Sequence, residues 1–420
     1  MMNRLFALSA CLLAGLSSAR HAHSSVASPV LTSSVTTLTV PAAETVVTWS
    51  GVDGASASDW IALFCTGGTY YYWIYATGEP AGSATMRLFA NVPASGCIRV
   101  EFGYYKGGSV LMRSAPITIM PMIQQVHLSL TSDPTQMVID FVSTGSGASP
   151  SCSYGASPSA LTQTAPATAA RAAPAIGNVS HALLTGLSPG ALVYYSCSDG
   201  YVASAVTSFR AGAVPAAGAG APQRVAVWAD FGVNDGFGLD QIAEDAIAGA
   251  FDFALHAGDW GYDFETGNSA NGNFMMNRAT LYAAQQPVMP ACGNHEAAGN
   301  FSQYQVRHPG VAAHSNTGSA LYYSFNNGLV HYLVFNSETY IEGGIENMLN
   351  FMTADLAAVD RAVTPWVVAY SHKLWWMDAT DFSKISGILQ EGKVDVLFAG
   401  HWHYVSQRAA IASVRPSTPP

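Results

Sequence analysis

The chain has 420 residues, 49% hydrophobic and 10% charged, with 17 basic against 27 acidic side chains. This length exceeds one ordinary domain and the apolar content supplies sizeable cores, so a disordered chain is excluded and two or three domains are expected. No run of Lys or Arg breaks the acidic balance, which argues against a nucleic-acid duplex as partner because phosphate neutralisation supplies most of that affinity.

The N-terminus reads as a secretory signal over residues 1–19, with Arg4 as the charged start, 5–16 as the apolar core and Ser17-Ser18-Ala19 as the cleavage site. That run is too short for a bilayer and nothing later reaches ~18 uncharged apolar residues, so no membrane span and a secreted, extracellular protein are expected. Export permits disulfides. Cys65–Cys97 and Cys152–Cys197 are possible pairs because each lies within one domain, although spacing does not fix the pairing. Cys292, one residue before Gly293, is expected to end a buried strand. Asn178-Val179-Ser180 and Asn300-Phe301-Ser302 fit the glycosylation acceptor pattern.

Residues 29–121 alternate apolar and polar side chains, as in Val35-Thr-Thr-Leu-Thr-Val40, and are punctuated by Gly and Pro, which predicts an N-terminal β-rich domain. A second β-rich domain is expected over 122–211, with strands at 126–130, 137–142 and 192–197. Within it, the Ala-, Ser-, Pro- and Gly-rich stretch 143–175 predicts a long flexible loop. Residues 212–222 form an Ala/Gly/Pro linker. From 223 to 408 the pattern changes: strands at 225–229, 251–257, 287–292, 321–325, 330–335, 366–370 and 394–399 alternate with helices at 239–250, 274–284, 345–362 and 382–390. Ile242, Ala246 and Ile247 share a face of the first helix. This alternation predicts an α/β layer architecture with covered sheet faces, followed by a tail over 409–420.

Five short blocks in this last region carry metal donors. They are Asp230-Phe231-Gly232, Gly258-Asp259-Trp260-Gly261-Tyr262, Gly293-Asn294-His295-Glu296, the isolated His372 and Gly400-His401-Trp402-His403. Each lies at or just after the end of a β-run, the edge where open α/β sheets bind ligands. A two-metal hydrolase needs a bridging carboxylate and an open position for water or substrate. Asp259, central in the set, is the expected bridge. Asp230 and His403 would complete one metal, with Tyr262 as a further ligand, and Asn294, His372 and His401 would hold the second. A phenol with an ordinary pKa near ~10 calls for a strongly acidic cation such as Fe3+. His256 reads as a packed or outer-sphere residue, His308, His314 and His331 as surface or loop residues, and Trp375 and Trp376 as packing aromatics. The loops 264–274 and 297–317 would shape the substrate pocket.

These blocks resemble those of the purple acid phosphatases, a branch of the calcineurin-like metallophosphoesterases: Asp-x-Gly, Gly-Asp-x-x-Tyr, Gly-Asn-His-Glu, Val-x-x-His and Gly-His-x-His. Ala369 stands where the fourth block usually has Val. The likeness extends to Leu321-Tyr-Tyr-Ser-Phe325, Asn336-Ser-Glu338, Asp360-Arg361 and Thr364-Pro-Trp366. Upstream, Gln125-Val-His-Leu-Ser-Leu130 and Leu184-Thr-Gly-Leu-Ser-Pro-Gly190 are similar to the family's fibronectin-type β-sandwich. Ser50-Gly-Val-Asp53 with Asp59-Trp-Ile61 resembles the additional N-terminal domain of the large plant-type members.

The resemblance implies a four-layer α/β metallophosphoesterase sandwich with a βαβαβ core. It also implies acid phosphatase activity on phosphate monoesters, by in-line attack of a metal-bound hydroxide at a centre of Fe3+ and a second divalent metal (Zn2+, Mn2+ or Fe2+). His295 would sit beside the substrate phosphate, stabilising charge or protonating the leaving oxygen, with Asp259 the other catalytic residue. Two departures stand out. Lys373-Leu374-Trp375-Trp376 replaces the segment that often supplies another His, and the chain stops earlier after its last block than family members do, an expected C-terminal truncation. Alternatives are a phosphodiesterase or nucleotide pyrophosphatase on the same core, or a catalytically inactive homologue acting as a binding or surface protein.

Overall fold

The computed structural model describes residues 28–38, 43–65, 70–88, 99–119, 123–145, 147–168, 171–173, 175–212, 223–232, 236, 238–338, 345–373 and 382–403. The expected signal (1–19), nearly all of the 212–222 linker, the 409–420 tail, Trp375, Trp376 and Cys97, and hence the Cys65–Cys97 pair, lie outside the described residues.

The first β-region comprises β1 (Val30–Ser33), β2 (Thr37–Leu38), β3 (Ala43–Ser50), β4 (Trp60–Cys65), β5 (Tyr70–Tyr75), β6 (Gly82–Leu88), β7 (Arg99–Lys106), β8 (Ser109–Arg113) and β9 (Ile117–Ile119). They form one sheet in the order β1-β3-β6 and another in the order β2-β9-β7-β4-β5, with β8 on β7. Alternate residues such as Val47, Trp49, Ile61, Leu63, Phe102 and Tyr104 enclose a separate core, as a period-2 pattern dictates.

The second region holds β10 (Ile123–Ser129), β11 (Met137–Ser143), β12 (Ser151–Gly155), β13 (Gln163–Pro166), β14 (Arg171–Ala173), β15 (Gly177–Leu184), β16 (Leu192–Ser198) and β17 (Thr207–Arg210). Two four-stranded antiparallel sheets result, β10-β11-β15-β14 and β13-β12-β16-β17. The stretch 143–175 is therefore not the flexible loop its composition predicts. β13 and β14 lie at sheet edges, where small side chains meet little packing demand, and β12 is anchored beside β16 by the Cys152–Cys197 disulfide.

The third region runs β18 (Val225–Trp228), α1 (Leu239–Ile247), β19 (Phe253–Ala257), α2 (Thr266–Ala283), β20 (Val288–Ala291), α3 (Ala298–Arg307), α4 (Pro309–His314), β21 (Tyr323–Asn327), β22 (Val330–Val334), α5 (Glu346–Ala358), β23 (Trp366–Ser371), α6 (Phe382–Glu391) and β24 (Val396–Ala399). β18-β19-β20 is parallel throughout, and in β21-β22-β23-β24 the last three strands are parallel. β19 is buried at every position, as a parallel strand covered on both faces should be. α1 buries Leu239, Ala243 and Ala246 and ends at Gly249, whose φ of 64° provides the left-handed turn after the helix. Ile247, expected on the buried face, is instead 66% exposed, because the stripe continues from Ala243 to Ala246. The expected pocket loop 297–317 is largely helical, as α3 and α4, and most of 264–274 lies in α2.

The second and third regions share one continuous core. Buried polar bonds cross their boundary. Tyr195 donates to Ala284 O (2.8 Å), Arg307 donates to Gln125 Oε1 (2.7 Å), and Gly310 N donates to Asp140 Oδ1 (2.8 Å). Two histidines read as surface residues are corrected here. His308 is buried against Trp260 and Tyr304. His331, in β22, is buried with Nε2 2.8 Å from Asp355 Oδ2 of α5. Both positions are covered by elements distant in sequence, which no local pattern reports.

Tyr195→Phe is expected to leave Ala284 O without its donor, lowering stability by about 1–2 kcal/mol and the melting temperature by a few degrees. Tyr201→Phe, on an 85% exposed side chain, should leave the melting curve unchanged.

Candidate metal centre

The donor blocks follow β18, β19, β20, β23 and β24, so five strand ends point their carboxyl edges at one place. The two sheets are tied together there. Tyr323 donates to Pro290 O (2.7 Å) and Tyr370 to Met289 O (3.2 Å), while Gly400 N donates to His372 O (2.8 Å) and so aligns the last two blocks within one sheet. Asp230 N and Phe231 N donate to Gly258 O and Asp259 O, at 3.2 and 3.0 Å, fixing the first two blocks side by side.

His372 is fully buried at the middle. Its Nδ1 lies 2.9 Å from Ala257 O, and a carbonyl only accepts, so Nδ1 carries a proton and Nε2 is the inward nitrogen, which offers a lone pair whenever the ring is neutral. That nitrogen is 3.1 Å from Asp259 Oδ2, 3.1 Å from Asn294 Oδ1 and 3.2 Å from His401 Nδ1. Asp259, His372 and His401 offer donor atoms all within 4.8 Å of one another. Beside this group, the Tyr262 hydroxyl is 2.6 Å from His403 Nε2, which is 3.4 Å from Asp230 Oδ1. His372 Nε2 is 3.9 Å from Asp230 Oδ1, linking the two groups. All seven residues singled out as ligands are thus brought together.

Lone pairs facing lone pairs repel unless a proton or a cation lies between them. Burial opposes a charge on His372, but the Asp259 carboxylate outweighs it and holds the imidazole above the ordinary value. Burial and the nearby Asp259 charge push Glu296 up to about 8. Oxygen and nitrogen donors of this kind fit a pair of small cations, which would relieve both conflicts.

The backbone here is held in an unfavourable region. Asp230, Asp259, Tyr262, His401 and His403 have φ of 63°, 54°, 42°, 77° and 50°. Left-handed conformations cost a non-glycine residue on the order of 1 kcal/mol each and persist where surrounding structure enforces them, as at functional sites. Gly258 itself has φ 86°, and a Cβ there would come within 2.6 Å of His372 Cβ. A Cβ on Gly293 would overlap Asp259 Oδ1. Both positions need glycine for close approach.

His295 stands apart from the ligand cluster. Its N–H donates to Asp259 Oδ1 (3.1 Å), and its partly exposed ring meets Asp263 Oδ1 through Nδ1 (2.9 Å) and the Tyr262 ring edge-on. His256 packs flat on Trp260 with ring centroids 3.9 Å apart, and burial lowers it to about 3. Cys292 is buried directly after β20. Asn178 lies in β15 and donates to Gly145 O (3.0 Å), while Asn300 sits in the left-handed turn opening α3. Lys373 pairs with the buried Glu338 at 2.6 Å.

Two residues escaped the sequence reading. Asp263 has no motif, only adjacency to Tyr262. Glu296 ends its donor block with no role legible in the motif, yet its carboxylate accepts from Asp259 N (2.9 Å), Trp260 N (2.8 Å) and Gly293 N (2.9 Å), bracing two ligand loops.

The calcineurin-like phosphoesterase family profile matches residues 224–405, and the fold and site together define a metallophosphoesterase domain. The profile of the purple acid phosphatase N-terminal domain matches residues 123–211 directly before it. The chain belongs to the purple acid phosphatase family. It is 31% identical over 207 residues to "Acid phosphatase type 7" of Danio rerio, covering 46% of this chain and 45% of that protein. It is 29% identical over 267 residues to "Purple acid phosphatase 23" of Arabidopsis thaliana, covering 54% and 57%. The chain thus spans about half the length of these curated relatives. In structure it is similar to purple acid phosphatase PPD1 of yellow lupin (Lupinus luteus) seeds, with a TM-score of 0.67 at 17% identity over 89% of this chain and 80% of that one.

Glu296→Ala would strip the acceptor from three buried N–H groups, at about 1–3 kcal/mol per unpaired group. A stability loss of roughly 3 kcal/mol or more is expected in urea titration. Glu296→Gln, which keeps one acceptor oxygen, should lose distinctly less.

Proposed function

We propose that this chain is an exported acid phosphatase hydrolysing small phosphate monoesters. The observation that carries this reading is the inward Nε2 of buried His372, within 3.2 Å of Asp259 Oδ2, Asn294 Oδ1 and His401 Nδ1, a geometry suited to a cation. Asp230, Asp259, Tyr262 and His403 would hold Fe3+, and Asp259, Asn294, His372 and His401 a divalent ion (Zn2+, Mn2+ or Fe2+), with Asp259 shared. Bound there, the ions supply Lewis acidity and an activated water for attack at phosphorus.

The chain's own groups have distinct tasks. Ala257 O keeps the His372 proton on Nδ1. Glu296 holds the Asp259 and Asn294 loops at a fixed separation. His295, braced by Asp263 and open to solvent, is placed to hydrogen-bond a substrate oxygen or protonate the leaving group, worth roughly 10²–10⁴-fold. Further parts of this reading are a fibronectin-type sandwich built from the two sheets of β10–β17, a four-layer catalytic domain spanning 223–408, and glycosylation at Asn178 and Asn300. Export is supported by the apolar start of the sequence and by the Cys152–Cys197 bridge. No helix among the described residues is long and apolar enough to cross a membrane.

The reading is tested on the purified full chain by metal analysis, visible absorption and turnover of p-nitrophenyl phosphate against bis-p-nitrophenyl phosphate. Two metals per chain, a phenolate-to-iron band that Tyr262→Phe removes, and preference for the monoester are expected. Asp259→Ala should abolish metal and activity together, and retention of both would sink the assignment. A diester preference would select the phosphodiesterase alternative, and a folded chain that loads no metal would select the binding protein.

His295→Ala should lower kcat by roughly 10²–10⁴-fold while metal content stays at the parental level. Metal loss in that variant would make His295 a ligand instead.

A further inference from the structure

The catalytic region meets the β10-β11-β15-β14 sheet through a line of histidines that the proposed phosphatase chemistry does not use. His127, Asp140 and His181 are cross-strand partners in β10, β11 and β15, and so share one face of the sheet. α4 lies against that face. Gly310 N donates to Asp140 Oδ1 (2.8 Å), and a Cβ on Gly310 would run into Val138 and Asp140, so nothing larger allows this approach.

Each sheet histidine then meets one from the catalytic region edge to face. His127 faces His308 at 5.1 Å between ring centroids, and His181 faces His314 at 5.4 Å. The surroundings offer little compensating charge. His127 Nε2 is 3.5 Å from Asp140 Oδ2, but burial pushes Asp140 well above the ordinary carboxyl value, toward its neutral form. α3 contributes buried Arg307, whose guanidinium bonds, among the described residues, to the neutral Gln125, Asn273 and Gln303. On the far side of Trp260, β19 adds His256, another neutral imidazole. Both ring nitrogens of His308 are buried without a hydrogen-bond partner among the described residues. The cluster is not a second ion site, since among the described residues the convergent metal-donor set is Asp259, His372 and His401.

We propose that this seam is a proton-operated joint, closed while its four imidazoles are neutral and released as they take up protons in acid. Burial lowers all four histidines, His127 to about 4, with the others given by direction alone. A depressed folded-state value means the opened form binds more protons, so closure is fully favoured above about 6.5 and is lost as the pH falls toward 4. The joint reaches the catalytic site through one side chain. His308 packs on Trp260 at 5.0 Å, and Trp260 N donates to Glu296, the brace of the ligand loops. None of the four histidines is a proposed metal ligand, so the inference stands apart from the phosphatase reading.

Hydrogen–deuterium exchange on the full chain from pH 7.5 to 4.5, corrected for intrinsic rates, tests it. Each proton taken up on opening steepens the opening equilibrium about tenfold per pH unit. Segments 137–143, 177–184 and 309–314 should therefore open at least tenfold more per unit below pH 6.5, while 253–257 and 45–50 stay protected. The double variant His308→Phe/His314→Phe, which leaves each pair one imidazole and breaks no hydrogen bond seen for either ring, should show a profile flatter by an order of magnitude or more across the range. If that variant does not fold at pH 7.5, His314→Phe at the more open end of the seam carries the comparison. A flat wild-type profile, a variant as steep as wild type, or 253–257 opening together with the seam would overturn the proposal.

Discussion

The hydrogen bond between His372 Nδ1 and Ala257 O joins the end of β23 to the end of β19, and so joins the two catalytic sheets. It also decides the chemistry, because the ring's other nitrogen is then the one turned toward Asp259, Asn294 and His401, able to offer them a proton or a cation its lone pair. One bond thus sets sheet registration, histidine tautomer and donor direction together. The glycines before Asp259 and Asn294 follow from it, since both loops must pass against the imidazole or the Asp259 carboxylate at distances no side chain permits.

The energetic cost of this site is carried by its surroundings. Five ligand residues sit at positive φ, oxygen and nitrogen donors crowd within hydrogen-bond distance of one another, and Glu296 is buried beside a second carboxylate. Such a centre persists because β19 and β20, which carry its middle blocks, are buried at every position and because Glu296 ties three backbone amides together. Bound cations would turn the electrostatic conflict into attraction, which makes apo-protein stability and metal affinity two readings of one free energy. The second β-region adds further support, since its core is continuous with that of the catalytic region.

Much of the fold was legible. The strands preceding the five donor blocks fall within one or two residues of their expected bounds, because each is a short, uninterrupted apolar run ended by glycine or a polar ligand. Misreadings came where composition stood in for contact. Residues 143–175 look like a loop by their Ala, Ser and Pro content, yet β13 pairs with the disulfide-anchored β12 and β14 with β15, edge positions that tolerate such residues. α3 and α4 were read as loop because each is short, and α3 opens through a left-handed turn at Gly299, Asn300 and Phe301 that breaks the helical period.

The sequence by itself determined which donors the centre contains, their order, and the strand ends that carry them, because ligand identity and hydrophobic period are local properties. Only the tertiary structure decided that Glu296 braces two loops, that Asp263 holds His295, and that His127, His181, His308 and His314 meet across one seam. Those contacts join residues tens to nearly two hundred positions apart, and their chemistry depends on burial, lone-pair direction and missing counter-charge. None of these exists until the sheets and helices have packed.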